Sequence, residues 1–245
     1  MRQSERLWHL AHKYRMGMSF HGLWVDSADL SDIAKRIGAD PASEVRCRWN
    51  DVSTGLDLGD QAGIVWMGPL TESWTQIMVL GATPFDPPVA LSAGNRRALQ
   101  VSWTVNGVHD VLYAADGHYI TAFSATRPGV RNGTDPYALD SYASGLLFDD
   151  QDTSWESDPD LLPGLIEYSA WEETHLYDAV DDDMVNDAYE SMPPEWTHLL
   201  ELSVNGYSPP IATCITSALI LVGRVTGREL DEGWMEGVHS RFVIH

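Results

Sequence analysis

The side chains that would do chemistry in this chain are few. His109 is followed at once by Asp110, Asp116 stands in an Asp-Gly pair, and Arg131 follows a short way on. A base, a carboxylate to orient it and a cation are the parts of a hydrolytic site near predicted turns. Successive residues of an extended segment point to opposite faces, so adjacency alone does not make His109 and Asp110 a dyad. His9 and His12 share one side of a predicted helix. Zinc needs three or four converging ligands, and neither HExxH nor paired CxxC occurs. No GxSxG elbow is present, and neither Cys47 nor Cys214 sits beside a histidine. The run Leu91-Ser92-Ala93-Gly94-Asn95-Arg96-Arg97 fits neither GxxxxGK[ST] nor GxGxxG and leads into a strand. It reads as a turn, with Arg96 and Arg97 as a paired basic site for an anion. Asp149-Asp150-Gln151-Asp152-Thr153-Ser154 lacks the glycine and glutamate of an EF-hand loop counted from Asp150. These residues point to no catalytic set, no cofactor and no metal.

A different pattern lies in the charge. The 245 residues carry 36 Asp and Glu against 15 Lys and Arg, a formal net charge of −21. Residues 141–200 hold 16 carboxylates and neither lysine nor arginine. That balance argues against nucleic-acid backbones and anionic membranes as partners and leaves basic proteins open. Three tryptophans lie in the same stretch, each beside a glutamate: Trp155, Trp171 and Trp196. Aromatic anchors ringed by like charge suit a surface that holds a basic protein. Inner faces of amphipathic helices give the same alternation. Asp181, Asp182 and Asp183 read in part as a helix start, where carboxylates oppose the positive end of the dipole. Capping accounts for only some of the 16, because an uncompensated field costs stability through self-repulsion. The partner-binding set is therefore Trp155, Trp171, Asp181, Asp182, Asp183 and Trp196.

Positioning these groups falls to elements legible from periodicity. Leu7, Leu10, Ala11 and Tyr14 mark a first amphipathic helix. Met18 to Val25 reads as a strand, and Ser27 or Asp29 caps a helix over ADLSDIAKRIG. The runs GIVWM, SWTQIMVL, ALQVSWTV and DVLYAADGHYITAF are rich in β-formers, and the last contains a hairpin turn at Asp116-Gly117. Trp24, Trp66, Trp74 and Trp103 are expected to face the core. Asp135-Pro136 and Asp158-Pro159 have the form of helix starts. Leu176, Tyr177, Val180, Met184 and Ala188 fall at helical spacing. A buried helix follows Ser208-Pro209-Pro210 and ends at Gly227, with a short helix near Asp231.

Four of these stretches, in order, carry a resemblance: ALSAGNRRALQVSWTVNG, YAADGHYITAF, RPGVRNGTDPYAL and VTGRELDEGW. The succession resembles an uncharacterised bacterial family catalogued as a domain of unknown function. Its members share a Leu-Ser-x-Gly step before a strand, an Asp-Gly hairpin, an Arg-x-Gly-x-Asp-Pro stretch and a Thr-Gly helix end. The matching stretches run from Met18 to Trp234, which implies one domain. The resemblance implies no activity and no catalytic residues.

Strands before helices favour α+β, with a mostly antiparallel sheet in the N-terminal two-thirds, helices packed on it and a helical C-terminal third. A single domain over 1–245 is expected, with the acidic segment 141–200 inside it. Two distant cysteines, no apolar leader run in MRQSERLWHLAHKYRMGM and a longest apolar stretch of only Ile211 to Val222 point to a soluble, cytoplasmic protein without a membrane span. Two functions follow as expectations. The first is a non-enzymatic interaction module, of inhibitor or immunity type, that binds a basic partner through the acidic segment. The second is an enzyme or small-molecule binder with an unrecognised polar site built from His109, Asp110, Asp116 and Arg131.

Overall fold

Central strands of this protein are apolar on both faces, so they need helices on both sides. In the computed structural model, which describes residues 3–53, 63–81, 87–104, 107–148, 160–175, 191–197, 199 and 211–244, that need is met. The chain divides into two compact units: Met1–Asp149 with Pro209–His245, and Asp150–Ser208. The first, unit 1, is α+β and is built on one large antiparallel sheet. Its strands are β1 (Phe20–Val25), β2 (Val45–Cys47), β3 (Gly63–Pro69), β4 (Thr75–Leu80), β5 (Arg97–Thr104), β6 (Gly107–Val108), β7 (Val111–Ala115), β8 (His118–Ser124), β9 (Arg127–Asn132) and β10 (His239–Ile244). They lie in the order β2-β10-β3-β4-β1-β5-β7-β8-β9, with β6 paired to β5.

One face carries Phe20, Trp24, Trp66, Leu99, Val101 and Trp103, and is covered by α1 (Arg6–Lys13), α6 (Ile211–Thr226) and α7 (Glu232–Met235). The other carries Leu23, Val25, Val65, Met67, Ile77 and Phe242. It packs on Ile33, Ala34 and Ile37 of the segment holding α2 (Leu30–Arg36), and on Leu91 of α3 (Pro87–Ser92). Asp29 caps α2 by accepting from the Asp32 amide at 3.0 Å, a bond that satisfies one of the helix's open N–H groups. The four strand tryptophans are buried as expected: Trp24, Trp66, Trp74 and Trp103. Gly22 is required under them, since a Cβ there would come within 2.7 Å of the rings of Phe20 and Trp24. At the β7–β8 hairpin, Asp116 and Gly117 both have positive φ, which the tight turn demands. Neither Cys47 nor Cys214 is in a disulfide.

The expected helical third is corrected at its end. After α6 and α7 the chain finishes in a strand, and β10 inserts between β2 and β3. Its polar residues are buried with partners. Ser240 donates to Glu44 Oε1 at 2.7 Å, and His239 Nε2 bonds the Trp234 carbonyl at 2.8 Å. Asp135 also differs from expectation: its carboxylate accepts from the Tyr137 amide in a turn, and α4 (Asp140–Ala143) begins later. Asp158-Pro159, the run from Leu176 to Ala188 and Ser208-Pro209-Pro210 lie outside the described residues. No described helix is long and apolar enough to cross a membrane.

Two predictions follow from this arrangement. Leu147 donates to Ser217 of α6 at 3.1 Å, which places the end of the first stretch about 9 Å along the helix from its start. A linker of about eight residues reaches roughly 26 Å, so it spans that gap. Replacing residues 150–208 by such a Gly-Ser linker should leave unit 1 with its near-UV circular dichroism and a single cooperative urea transition. Loss of the near-UV signal would show that unit 1 depends on the acidic unit. The second concerns His239, which stacks on Trp234 with ring centroids 4.4 Å apart. Burial lowers its pKa, against a smaller opposing effect of the Trp234 carbonyl. The unfolded chain therefore takes up the proton first, so this group's contribution to stability is complete above about pH 6.5 and is lost as pH falls below it. An NMR titration should place its imidazole midpoint below 6.5; a midpoint at or above that value contradicts the assignment.

Candidate functional site

The acidic residues segregate with the second unit. Its stretch, residues 150–208, holds 16 carboxylates and no lysine or arginine, which leaves unit 1 with a net charge of −5. Within it, Tyr168 and Trp171 stand three apart on α5 (Leu162–His175), and so on one side of the helix. Their rings lie 6.0 Å apart and nearly parallel. Trp196, from the short 3-10 turn Pro194–Trp196, meets both edge-on, at 6.0 Å from Tyr168 and 5.9 Å from Trp171. Such edge-to-face packing adds roughly 0.5–1.5 kcal/mol per pair beyond area burial. Tyr168 and Leu199 are buried, while Trp171 and Trp196 are half-buried. Ile166 is 63% exposed, beside the exposed Glu167.

Of the predicted partner-binding residues, the structure brings Trp171 and Trp196 together. Trp155, Asp181, Asp182 and Asp183 lie outside the described residues. The two tryptophans pack in the aromatic cluster and keep part of their surface accessible.

The alternative set does not converge. His109 and Asp110 are exposed where β6 ends. Asp116 sits in the hairpin turn, where its carboxylate accepts from the Asn95 amide at 3.0 Å. Arg131 belongs to β9, pairs with Asp140, and lies 5.2 Å over Phe123 and 5.4 Å over Tyr137. The anion-site reading of Arg96 and Arg97 is corrected as well, because both are neutralised internally. Arg97 binds Asp26 at 2.7 Å and covers Trp74 at 5.1 Å. Arg96 bonds Asp32, as does Arg36, and the two guanidinium groups, Arg96 foremost, hold the Asp32 carboxyl below its ordinary pKa. Arg36 also donates to the carbonyls of Ala90 and Ala93 at 3.2 and 3.1 Å, so this network latches the end of α3 to α2. His9 lies 3.6 Å from Glu5, and His12 bonds the Trp8 carbonyl at 3.0 Å, both on the surface of α1. The acidic run from Asp149 to Ser154 lies outside the described residues.

Unit 1 also holds a feature that the sequence reading missed. A cavity of about 670 Å³ opens where β1 begins and β4 and β5 end. In the antiparallel register His21 faces Ser102 and Leu23 faces Gln100, so His21, Ser102 and Gln100 share one face. The available signal was three polar residues, His21, Gln100 and Ser102, at inward positions of the strands FHGLWV and RALQVSWT. Burial lowers the pKa of His21; the Gln100 amide opposes this in part and His109 reinforces it.

Comparison of the chain with family models, with curated proteins and with solved structures gave no match.

The charge of unit 2 has a direct consequence. Self-repulsion among its carboxylates is screened by salt, since the Debye length shrinks from about 30 Å at 0.01 M to about 3 Å at 1 M. Amide hydrogen exchange across α5 should slow as NaCl rises from about 0.02 to 0.5 M while exchange in β1, β4 and β5 changes little. Equal changes in both regions would contradict a repulsion confined to this unit.

Proposed function

We propose that this chain is a non-enzymatic protein-interaction module, of inhibitor or immunity type, in which the acidic unit binds a basic protein. The observation that carries this reading is the confinement of 16 carboxylates, with no lysine or arginine among them, to the stretch that also holds the Tyr168–Trp171–Trp196 cluster. A field of one sign raises encounter rates with an oppositely charged partner by 10- to 1,000-fold, on the order seen for steered association. Aromatic groups then supply the short-range contact area that charge alone lacks. The exposed Ile166, flanked by Glu167, fits the same division of labour at the surface of α5. On this reading the protein acts in the cytoplasm, and unit 1 is the scaffold that carries the acidic unit. The motif order is what supports kinship with the uncharacterised bacterial family that it resembles.

The test is affinity capture on the full chain at low salt, followed by carboxylate-directed cross-linking. A partner with an isoelectric point above about 9 should be retained, with cross-links falling in residues 150–208. Changing Asp181, Asp182 and Asp183 together to Asn should slow association about tenfold and leave the thermal unfolding of unit 1 unchanged. A partner cross-linked only through residues before Asp140 overturns the proposal.

A further inference from the structure

An asparagine side chain can be attacked by its own backbone, because the amide nitrogen of the next residue reaches Cγ and closes a five-membered ring. A hydrogen bond on that nitrogen holds it back, and a side chain on the next residue hinders the approach. The asparagines among the described residues are Asn50, Asn95 and Asn132. Asn50 precedes Asp51, whose amide donates to the Arg48 carbonyl at 3.0 Å. Asn95 precedes Arg96, whose amide donates to the Ser92 carbonyl at 3.2 Å. The related pair Asp116-Gly117 is held as well, since the Gly117 amide donates to Ser92 Oγ at 3.1 Å. Asn132 differs on both counts. It ends the edge strand β9, is exposed, and its side chain makes no hydrogen bond among the described residues. The next residue, Gly133, is exposed too, and its N–H is equally free among the described residues.

The fold itself installs that glycine. Gly133 has a φ of 120°, and a Cβ there would come within 2.2 Å of the Ile120 carbonyl oxygen. Beyond it the chain is tied back to β8. Thr134 Oγ1 donates to the Tyr119 carbonyl at 3.2 Å, and the Asp135 amide to the Ile120 carbonyl at 2.9 Å. The bend is pinned past the glycine while the two reacting groups stay open to water.

We infer that Asn132 is a site of spontaneous modification, at which the amide converts to a mixture of aspartate and isoaspartate. Solvent hydroxide takes the Gly133 amide proton, and the nitrogen attacks Asn132 Cγ. The N–Cγ bond forms, the Cγ–Nδ2 bond breaks, and Nδ2 leaves as ammonia with a proton from water. Water then opens the cyclic imide. Opening at Cγ restores the ordinary backbone as aspartate; opening at the α-carbonyl gives isoaspartate, whose main chain runs through the side chain. The sum is amide plus water to carboxylic acid plus ammonia, with no change of oxidation state. Either product adds a negative charge next to Arg131 in the chain. Isoaspartate also adds an atom to the main chain where Asn132 pairs with Ala122. Since β9 is the last strand in the sheet order, the disturbance falls on the β8–β9 edge.

The test ages the full chain at neutral and at mildly alkaline pH and sequences its peptic peptides by mass spectrometry, with Asn132→Ser in parallel. The inference predicts that the peptide holding Asn132 gains the mass of an amide-to-acid exchange. It should also split into two chromatographic forms, one aspartate and one isoaspartate. Conversion should be faster at the higher pH and at least about tenfold faster than at Asn50 or Asn95, because glycine sets no side chain in the path. Asn132→Ser should keep the near-UV circular dichroism of the fresh chain and lose the conversion at this position. The Asn-Gly pairs at 106–107 and 205–206 are scored separately from the fragment ions. Conversion at Asn132 no faster than at Asn50 or Asn95 overturns the inference. Aspartate without isoaspartate does the same, because it marks direct hydrolysis in place of attack by the Gly133 nitrogen.

Discussion

The pairing of β10 with β3 is the constraint on which the rest of the molecule depends. Residues 63–67 align with residues 240–244 in antiparallel register, so the last strand of the chain lies inside the sheet rather than at its edge. Unit 1 is therefore incomplete until the end of the chain has returned to it. The helix before that strand, α6, is buried for most of its length against the tryptophan-bearing face. Everything between residues 149 and 209 is thus an excursion from a fold that closes around its two ends. That topology lets one stretch of sequence take a composition the sheet could not tolerate.

Charge uses this freedom. Unit 1 pairs its ions internally: Asp32 with Arg36 and Arg96, Asp26 with Arg97, Arg131 with Asp140, and Arg228 with Asp231. Such partly exposed pairs contribute little individually, about 0–1 kcal/mol, but they leave few uncompensated charges near the core. Residues 150–208 have no lysine or arginine with which to do the same. The proposed basic partner would supply the missing positive charge and would give the tryptophans among the acids a contact to make.

How much was legible depended on whether a residue's environment was local. The strands β1, β3, β4, β5, β7 and β8 were visible because aromatic and β-branched residues cluster in them, and the Asp116-Gly117 turn announced its hairpin. The strand β10 was not, because His239, Ser240 and Arg241 read as polar surface. They are buried only through partners about 190 residues away, such as Glu44 for Ser240 and Val52 for Arg241. The same reason hid the cavity. His21 and Gln100 look like isolated polar residues until strand register sets them side by side. Trp171 and Trp196 stand out in the sequence because their glutamate neighbours are local, though their mutual contact is not. Arg96 and Arg97 misled for the converse reason: their carboxylates, Asp32 and Asp26, come from about 65–70 residues earlier, a separation sequence proximity does not reveal.

The central claim is that the field of residues 150–208, acting from an excursion off a closed fold, draws in a basic protein. Its most direct test is the association rate of the captured partner with the full chain as NaCl rises from about 0.05 to 0.5 M. Steered association predicts a rate that falls steeply, by about an order of magnitude or more, while the dissociation rate changes much less. An association rate that stays the same across that range would contradict the account.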